Sequence, residues 1–321
     1  MKRITIKDLA DLLQISTSTV SRALSNHPDI SEAVKQRVKE AAETFNYVPN
    51  DFAINFRKKS SKVIGLIIPK MSMFFIPSIL EGISAILNKE GYHFFILSSE
   101  ESIEIEKENL QTCANSRVDG VLISLTSQTH DFSHFKKLDD LEIPIVLFDK
   151  SLSEQKYDQI VFNNEKDAEE CAKQLIDSHC KNILAIFGNK DLEITERRRS
   201  SFEKYLSNFS DVNYKSIFCN SAEIVKEKLE IILEYEKFDG IFAMSDETLA
   251  GLNYALKVKG LSAKSYKVMA ISEGIFPKYL NPHFQFQKND GIKMGMMAAN
   301  TLLDKIKNKD QKNINTYYIY S

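Results

Sequence analysis

The chain has 321 residues, of which 43% are apolar and 27% charged, with a formal net charge of −2 at pH 7. These values are typical of a globular protein of about two domains, and they exclude fibrous and largely disordered chains. No apolar run reaches the roughly 18 residues of a membrane span, and Lys7 and Asp8 lie where a signal peptide is apolar, so we expect a cytoplasmic protein without membrane contact.

The first 60 residues are basic, with ten Lys and Arg against seven Asp and Glu, which favours contact with a polyanion. Thr5 is expected to cap a first helix with apolar residues at helical spacing. Ser16 should cap a second short helix that presents hydroxyl groups and Arg22 outward, and Ser31 should open a third helix with Phe45 turned inward. Two short helices with a tight turn predict a helix-turn-helix, whose second helix enters the major groove.

Four motifs in this region carry a specific resemblance. They are T-I-K-D-L-A (5–10), S-T-S-T-V-S-R-A-L (16–24), V-K-E-A-A (38–42) and N-Y-V-P-N (46–50). In this order they resemble the DNA-binding head of the lac-repressor (LacI/GalR) family. The resemblance implies a hinge helix that follows the last motif, orders on the operator and inserts an apolar side chain into the minor groove. Ala53 matches the family's usual alanine, and Phe56 replaces the commoner Leu or Met as an accepted wedge.

From residue 61 onward, strand-like and helix-like runs alternate. The predicted strands are 63–68, 93–97, 120–123, 145–148, 160–162, 183–187, 215–218, 240–244 and 267–271. The predicted helices are 77–90, 103–116, 166–178, 195–207, 222–235, 247–258 and 291–306. Such alternation predicts parallel sheets with helices on both faces. Since nine strands are too many for one such unit, we expect two sheets that divide near 149–158.

This body is also similar to the family, through motifs such as V-D-G-V-L-I (118–123) and F-D-G-I-F-A-M-S-D (238–246). The resemblance implies a two-lobed, periplasmic-binding-protein-like effector body. We therefore expect three parts in the chain. They are a helix-turn-helix domain (1–48), a hinge helix and linker (49–60) and an effector-binding and dimerisation domain (61–321). We expect an N-terminal lobe of about 61–158 plus 290–310, and a C-terminal lobe of about 159–289 plus 311–321.

Motifs of cofactor and catalytic sites are missing. The eleven glycines match neither G-x-G-x-x-G nor the phosphate-binding P-loop, and no G-x-S-x-G elbow occurs. His130 and His134 have helical spacing but lack the Glu of H-E-x-x-H, so we interpret them as surface residues rather than metal ligands. The four cysteines form no C-x-x-C pair and are expected to be small core residues. We expect no cofactor, no metal and no enzymatic activity.

Ligands of such bodies bind at the carboxyl ends of the strands. The expected effector-binding residues are Phe74, Phe75, Asp149, Arg198, Ser245, Ser272 and Asn289. The resemblance implies that Phe74 and Phe75 form an apolar wall, that Asp149 binds a hydroxyl group and that Arg198 grips the effector. Core packing for the two Phe residues and a turn position for Asp149 are the structural alternatives. Ser272 stands where the family usually has Asp.

The sequence therefore predicts a homodimeric transcriptional regulator, most simply a repressor, that binds a pseudo-palindromic double-stranded DNA operator and responds to a small-molecule effector. The expected DNA-binding residues are Thr5, Ser16, Thr17, Ser18, Thr19, Ser21, Arg22, Asn50, Ala53 and Phe56. Thr17, Ser18 and Arg22 are predicted to read base edges. One alternative is a cytoplasmic solute-binding receptor, but such proteins need an export signal and have no use for the basic head. The other is an α/β sugar-modifying enzyme, which would need a nucleophile or cofactor loop that the glycine positions exclude.

Overall fold

The computed structural model describes residues 4–47, 60–71, 74–150, 152, 154–308 and 313–320. The chain divides into two compact units between Ser61 and Lys62. The first unit is helical and the second is built of helices and parallel strands, so the predicted fold class is confirmed for the described residues. The predicted hinge helix, with Asn50, Ala53 and Phe56, lies outside the described residues.

Three helices form the first unit: α1 (Ile6–Leu13), α2 (Thr17–Leu24) and α3 (Glu32–Thr44). Their buried residues make one small core of Leu9, Ala10, Val20, Ala23, Val38, Ala41 and Ala42. The prediction that Phe45 packs inward is wrong, since this residue ends α3 as its C-cap and is 44% exposed. The turn between α1 and α2 is tight because Gln14 adopts a left-handed conformation, with φ of 55°.

The second unit contains helices and strands in near-regular alternation. Its strands are β1 (Val63–Ile68), β2 (His93–Ser98), β3 (Gly120–Ile123), β4 (Ile145–Phe148), β5 (Asp158–Phe162), β6 (Asn182–Phe187), β7 (Asn213–Phe218), β8 (Gly240–Ala243), β9 (Lys267–Ser272), β10 (Gln285–Lys288) and β11 (Thr316–Ile319). Its helices are α4 (Ile76–Lys89), α5 (Ile103–Asn115), α6 (Lys136–Asp140), α7 (Asn164–Asp177), α8 (Glu193–Leu206), α9 (Ala222–Tyr235), α10 (Asp246–Val258), α11 (Ile275–Leu280) and α12 (Gly291–Lys307). Short 3₁₀ turns occur at Ser133–Phe135 and Ala263–Ser265.

Two all-parallel sheets organise this unit into two lobes. The first sheet has the order β11-β5-β4-β3-β1-β2 and the second β10-β9-β8-β6-β7. Strand β1 pairs in register with β3 from Ile64 opposite Gly120, and β6 pairs with β8 from Ile183 opposite Gly240. The chain leaves the first sheet after β5 and returns after β10, since α12 packs on the first sheet. The carboxyl ends of the strands of each lobe carry the candidate ligand residues.

The predicted lobe boundaries need correction. Residues 159–162 and 311–321 are predicted from the sequence to belong to the C-terminal lobe. However, β5 pairs with β4 and β11 pairs with β5, which places both strands in the first sheet. The pairing is long-range, with Phe148 opposite Ile160 and Thr316 opposite Gln159, so local sequence does not indicate it. Strands β10 and β11 and helices α6 and α11 were not predicted, whereas every strand and helix predicted from residue 61 onward is present with ends within two residues.

Each sheet is covered on both faces by apolar clusters. In the N-terminal lobe, α4 and α12 cover one face and α5 the other, with Ile83 and Met294 in one cluster and Leu110 in the other. Helices α4 and α12 touch backbone to backbone, because a Cβ added at Gly82 or Gly295 would overlap the main chain of the facing helix. The two helices therefore form one closely packed layer.

The four cysteines are free and buried, as predicted. Burial raises the pKa of the Cys113 thiol to about 12, so this thiol is unreactive at neutral pH. Within the described ranges, no helix has the length and apolar character required to cross a bilayer.

Candidate functional site

The first candidate site is the outer face of α2. The Thr5 hydroxyl accepts a hydrogen bond from the Asp8 amide at 3.3 Å, and the Asp8 carboxylate accepts the Thr5 amide at 2.8 Å, which starts α1 with a capping box. Ser16 caps α2 by accepting the Thr19 amide at 3.1 Å. Its hydroxyl also lies 2.7 Å from that of Ser18 and 2.8 Å from that of Thr19. Local bonds therefore fix the start of α2.

The predicted DNA-reading side chains of the head lie on one exposed surface. Val20 and Ala23 are buried, whereas Thr17, Ser18 and Arg22 are exposed. Thr19 and Ser21 are half-buried. An α-helix that presents small hydroxyl groups and one guanidinium, with its apolar face packed on a core, has the shape and chemistry of a major-groove reader.

Asp149 lies at the carboxyl end of β4, at the edge of the N-terminal lobe that faces the cleft. Its φ of 67° is in the left-handed region, and the Lys150 amide donates to the Phe148 carbonyl across it at 2.8 Å. This i to i+2 bond is typical of a γ-turn, a strained geometry concentrated at functional sites. The buried carboxylate accepts the Ser124 hydroxyl at 3.2 Å. Burial raises the pKa of Asp149, against the opposing effects of Lys150, Ser124 and Arg198.

Arg198, in α8 of the C-terminal lobe, is also buried, at 3% exposure. Its Nε donates to Asn164 Oδ1 at 2.9 Å and its Nη1 to the Met244 carbonyl at 2.5 Å. Burial lowers the pKa of its guanidinium, while Asp167 and Asp149 raise it. Arg198 forms no ion pair within 4.0 Å with Asp149, although the two charges interact. A buried cation of the C-terminal lobe therefore interacts with a buried anion of the N-terminal lobe.

The predicted residues Ser245 and Ser272 support the site from within the C-terminal lobe. Ser245 caps α10 by accepting the Thr248 amide at 3.3 Å. The Ser272 hydroxyl donates to the Asp246 carboxylate, which also accepts the Glu273 amide at 3.0 Å. Burial raises the pKa of Asp246, opposed by Ser272, Glu273 and the Arg198 charge. The Ser272 hydroxyl thus lies against the carboxylate of Asp246.

The remaining predicted residues have different surroundings. Phe74 is 44% exposed, whereas Phe75 packs against the core of the N-terminal lobe, which agrees with the packing alternative for Phe75. The Asn289 amide donates to the Ser272 carbonyl at 2.8 Å. Its side-chain oxygen is buried and accepts no hydrogen bond from the described residues, so it is available to a donor.

A cavity of about 190 Å³ opens between the lobes, on the side where Asp149 lies. Of the predicted effector residues it contains Asp149. Its other lining residues are Leu125, Thr126, Ser127, Thr129, His130, Lys150, Leu152, Asn164, Asp191, Leu192, Glu193, Ile194 and Arg197. Hydroxyl groups and charges of both signs thus surround a space large enough for a small polar molecule.

Sequence reasoning missed Glu106, which supports one wall of this cavity. Its buried carboxylate accepts the Thr126 amide at 2.7 Å and the Thr129 hydroxyl at 2.8 Å. The Nε2 of His134 lies 2.8 Å from the same carboxylate. Glu106 shares a helix face with Leu110 and Cys113. A carboxylate on this otherwise apolar face is the sequence feature that could have identified Glu106. The prediction that His134 is a surface residue is therefore wrong, because its side chain is 9% exposed and bonds to buried Glu106. His130 is exposed, as predicted. Among the described residues, no cluster of His, Cys, Asp and Glu has the arrangement of a metal site.

Comparison with protein families gives two matches. Residues 5–50 match the family described as "Bacterial regulatory proteins, lacI family", and residues 64–276 match the family described as "Periplasmic binding protein domain". The matches coincide with the helical unit and the two-lobed unit, respectively.

Curated relatives are similar along most of their length. The HTH-type transcriptional repressor PurR of Aliivibrio fischeri is 26% identical over 318 residues, which are 96% of this chain and 93% of the relative. A ribose operon repressor of Halalkalibacterium halodurans is 29% identical over 257 residues, 80% of this chain and 76% of the relative. These relatives are named as repressors, in agreement with the prediction of a regulator rather than an enzyme.

Among solved structures, the lac repressor dimer bound to operator and the anti-inducer ONPF has a TM-score of 0.85. It is 19% identical, with 99% of this chain and 97% of that chain covered. The CelR–cellobiose complex has a TM-score of 0.68 at 20% identity, with 99% and 97% covered. At these identities the likeness concerns the fold.

Proposed function

The chain belongs to the lacI family of bacterial regulatory proteins, and from this premise we propose that it represses transcription as a homodimer on a pseudo-palindromic operator. A small polar effector bound between the lobes controls operator affinity. The observation that carries the proposal is that one chain has both an exposed helix suited to the major groove and an interlobe cavity lined by buried Asp149, whose charge interacts with that of buried Arg198 in the opposite lobe.

Base readout is proposed for Thr17, Ser18 and Arg22, and phosphate contact for Ser16, Thr19 and Ser21. Arg22 carries the long planar donor group of this surface, and a bidentate contact to a guanine edge discriminates bases by about 1 to 3 kcal/mol. Hydroxyl groups at the start of α2, which are already held by Ser16, suit phosphate oxygens. Thr5 caps α1 in the same way and is proposed as a further phosphate contact. Asn50, Ala53 and Phe56 are proposed to contact the minor groove on the strength of the sequence resemblance.

The experiment that tests DNA binding is selection of sites from a random duplex library by the full chain. We expect enrichment of a sequence with two-fold symmetry. Arg22→Ala should remove the preference at one base pair in each half-site, whereas Arg37→Ala on exposed α3 should leave the site unchanged. A full chain that enriches no sequence contradicts the proposal.

The effector is proposed to contact Asp149 and Arg198. Arg198 Nη2 and Asp149 Oδ1 take part in none of the bonds described above, so the proposed ligand carries a group that both accepts and donates. A thermal-shift screen of sugars, sugar acids and nucleobases tests this. A ligand at 100 times its dissociation constant stabilises the native state by about 2.7 kcal/mol. Asp149→Asn should weaken that stabilisation, and Asp140→Asn, an exposed change, should not.

Homodimerisation is supported by an exposed apolar face on the C-terminal lobe. Neighbouring helices α9 and α10 carry Ile231 and Tyr235, and Tyr254 and Val258, each 53% to 81% exposed. Within each pair the residues are four apart and share a helix face, and exposed apolar clusters of this kind mark interfaces. Tyr254→Asp should lower the sedimentation coefficient to that of a monomer. Tyr214→Asp on β7, 41% exposed, is the matched control.

A further inference from the structure

A polar junction outside the cavity described above joins the two lobes directly. Glu273, which follows β9 of the C-terminal lobe, accepts the hydroxyl of Ser78 on α4. It also accepts the amide of Gly291, the first residue of α12, at 3.2 Å. Both donors belong to the N-terminal lobe. We call Glu273, Ser78 and Gly291 the Glu273 junction.

The junction is closely fitted. Ser78 is buried, and its hydroxyl lies 2.9 Å from the Phe75 carbonyl as well as beside Glu273. A Cβ at position 291 would overlap both the Glu273 carboxylate and the Ser78 hydroxyl. A side chain at position 291 would therefore displace Glu273 or Ser78 from this contact. A carboxylate that receives a helix N-terminal amide is also in a favourable electrostatic position.

The junction is connected to the proposed effector site through Asp246. The Asp246 carboxylate holds the Glu273 amide and the Ser272 hydroxyl, and it interacts with the charge of Arg198. Asp246 is therefore a shared neighbour of Arg198 and Glu273. The lining of the cavity does not include the junction residues.

On the N-terminal lobe, the two donors lie on helices that move together. Because α4 and α12 are in backbone contact at Gly82 and Gly295, a force on Ser78 or Gly291 acts on the whole layer. Packed layers of this kind switch between discrete arrangements rather than deform smoothly.

We propose that Glu273 is a positioning residue, whose carboxylate holds the N-terminal lobe in its ligand-free arrangement through Ser78 and Gly291. This inference rests on the proposed function for its consequence, which is that loss of the junction changes operator affinity without any ligand. Coupling energies of allosteric proteins correspond to factors of about 5 to 150 in affinity. We therefore expect at least a fivefold change.

The test is a double-mutant cycle of Ser78→Ala and Glu273→Ala, with the full chain titrated against its selected operator. Each single variant should shift the dissociation constant at least fivefold in the same direction, and the double variant no further, because both remove one junction. Gly291→Ala should shift it in the same direction. The dissociation constant of Glu273→Gln, which keeps an acceptor oxygen, should stay within about twofold of wild type. The same is expected of Glu81→Ala, at an exposed position of α4.

Single variants that lower the melting temperature but leave operator affinity within twofold of wild type overturn the inference. The inference is also overturned if the change in dissociation constant of the double variant equals the product of the two single changes. A wild-type chain that selects no DNA contradicts the proposed function instead. In that case, spin labels at Gln111→Cys and Lys204→Cys, exposed positions in opposite lobes, test the junction alone, since the native cysteines are buried. Glu273→Ala should broaden the label distance distribution, and an unchanged distribution overturns the inference.

Discussion

The DNA-binding head and the interlobe cleft satisfy their polar groups in different ways. In the head, Ser16 bonds to Thr19 and Thr5 to Asp8, partners three residues away on exposed surface. In the cleft region, Glu106 bonds to Thr129 and His134, which are 23 and 28 residues away. Local bonds preserve the head as an independent module, whereas long-range bonds make the cleft depend on the whole body.

The largest effect that this contrast predicts is at Glu106. Glu106→Ala should lower the free energy of unfolding of the body by about 3 to 5 kcal/mol, because the buried donors of Thr126, Thr129 and His134 lose their common partner. Chemical denaturation followed by circular dichroism measures this. Hydrogen exchange should also accelerate in residues 124–135.

The control is Glu104→Gln, close by on the same helix, whose carboxylate is 69% exposed and pairs with Lys107 at 3.4 Å. Exposed pairs contribute little, so this variant should change stability by less than about 0.5 kcal/mol. Equal stabilities for the Glu106 and Glu104 variants would show that the cavity wall does not depend on the buried carboxylate.

A smaller effect is expected in the head. Ser16→Ala removes the cap of α2 and should destabilise the head by about 1 kcal/mol. Ser31→Ala is the matched control, because Ser31 stands at the N-cap of α3 without a capping bond from its side chain. Hydrogen exchange of α1 and α2 should accelerate for Ser16→Ala alone. The same acceleration for both variants would show that the Ser16 cap does not stabilise the head.

The smallest effect concerns pH. Since burial raises the pKa of Asp149, the folded state binds this proton more tightly than the unfolded state. The stabilisation is complete below the ordinary aspartate pKa of 3.8 and is lost as pH rises through the raised value. Asp149→Asn should therefore be more stable than wild type at neutral pH, by up to about 1 kcal/mol, with the advantage vanishing in acid. Denaturation midpoints from pH 4 to pH 8 measure this. The control is Asp140→Asn at an exposed position, whose stability difference from wild type should not change with pH.

The contrast between local and long-range bonds also explains which elements the sequence predicts and which it does not. The head helices and every predicted element of the body follow from local periodicity and capping residues. Strand β10 was missed because it alternates polar residues around Phe286 without a continuous apolar run. Strand β11 was missed because it is four residues long and pairs with β5, which lies far away in the sequence. The lobe to which β5 belongs depends on its pairing with β4, which no local pattern encodes.

For the site, sequence similarity named Asp149 and Arg198 as effector residues. In the structure Asp149 lines the interlobe cavity, whereas Arg198 is buried in α8 and its neighbour Arg197 lines the cavity instead. Similarity did not indicate the γ-turn at Asp149, the bond between Ser272 and Asp246, or the Glu273 junction. The γ-turn is local, but the other two depend on residues that are 26 and 195 positions apart in the sequence. Buried polar networks therefore have to be observed rather than inferred from spacing.

The central claim is that the cleft controls operator affinity, and operator titration with and without the ligand found by thermal shift tests it most directly. For the full chain we predict that saturating ligand changes the dissociation constant for the operator by a factor of about 5 to 150. Arg198→Ala should remove that change, because one of the two contacts that favour the ligand-bound arrangement is lost. Equal dissociation constants with and without ligand in the wild type, or a full response in Arg198→Ala, would contradict the account.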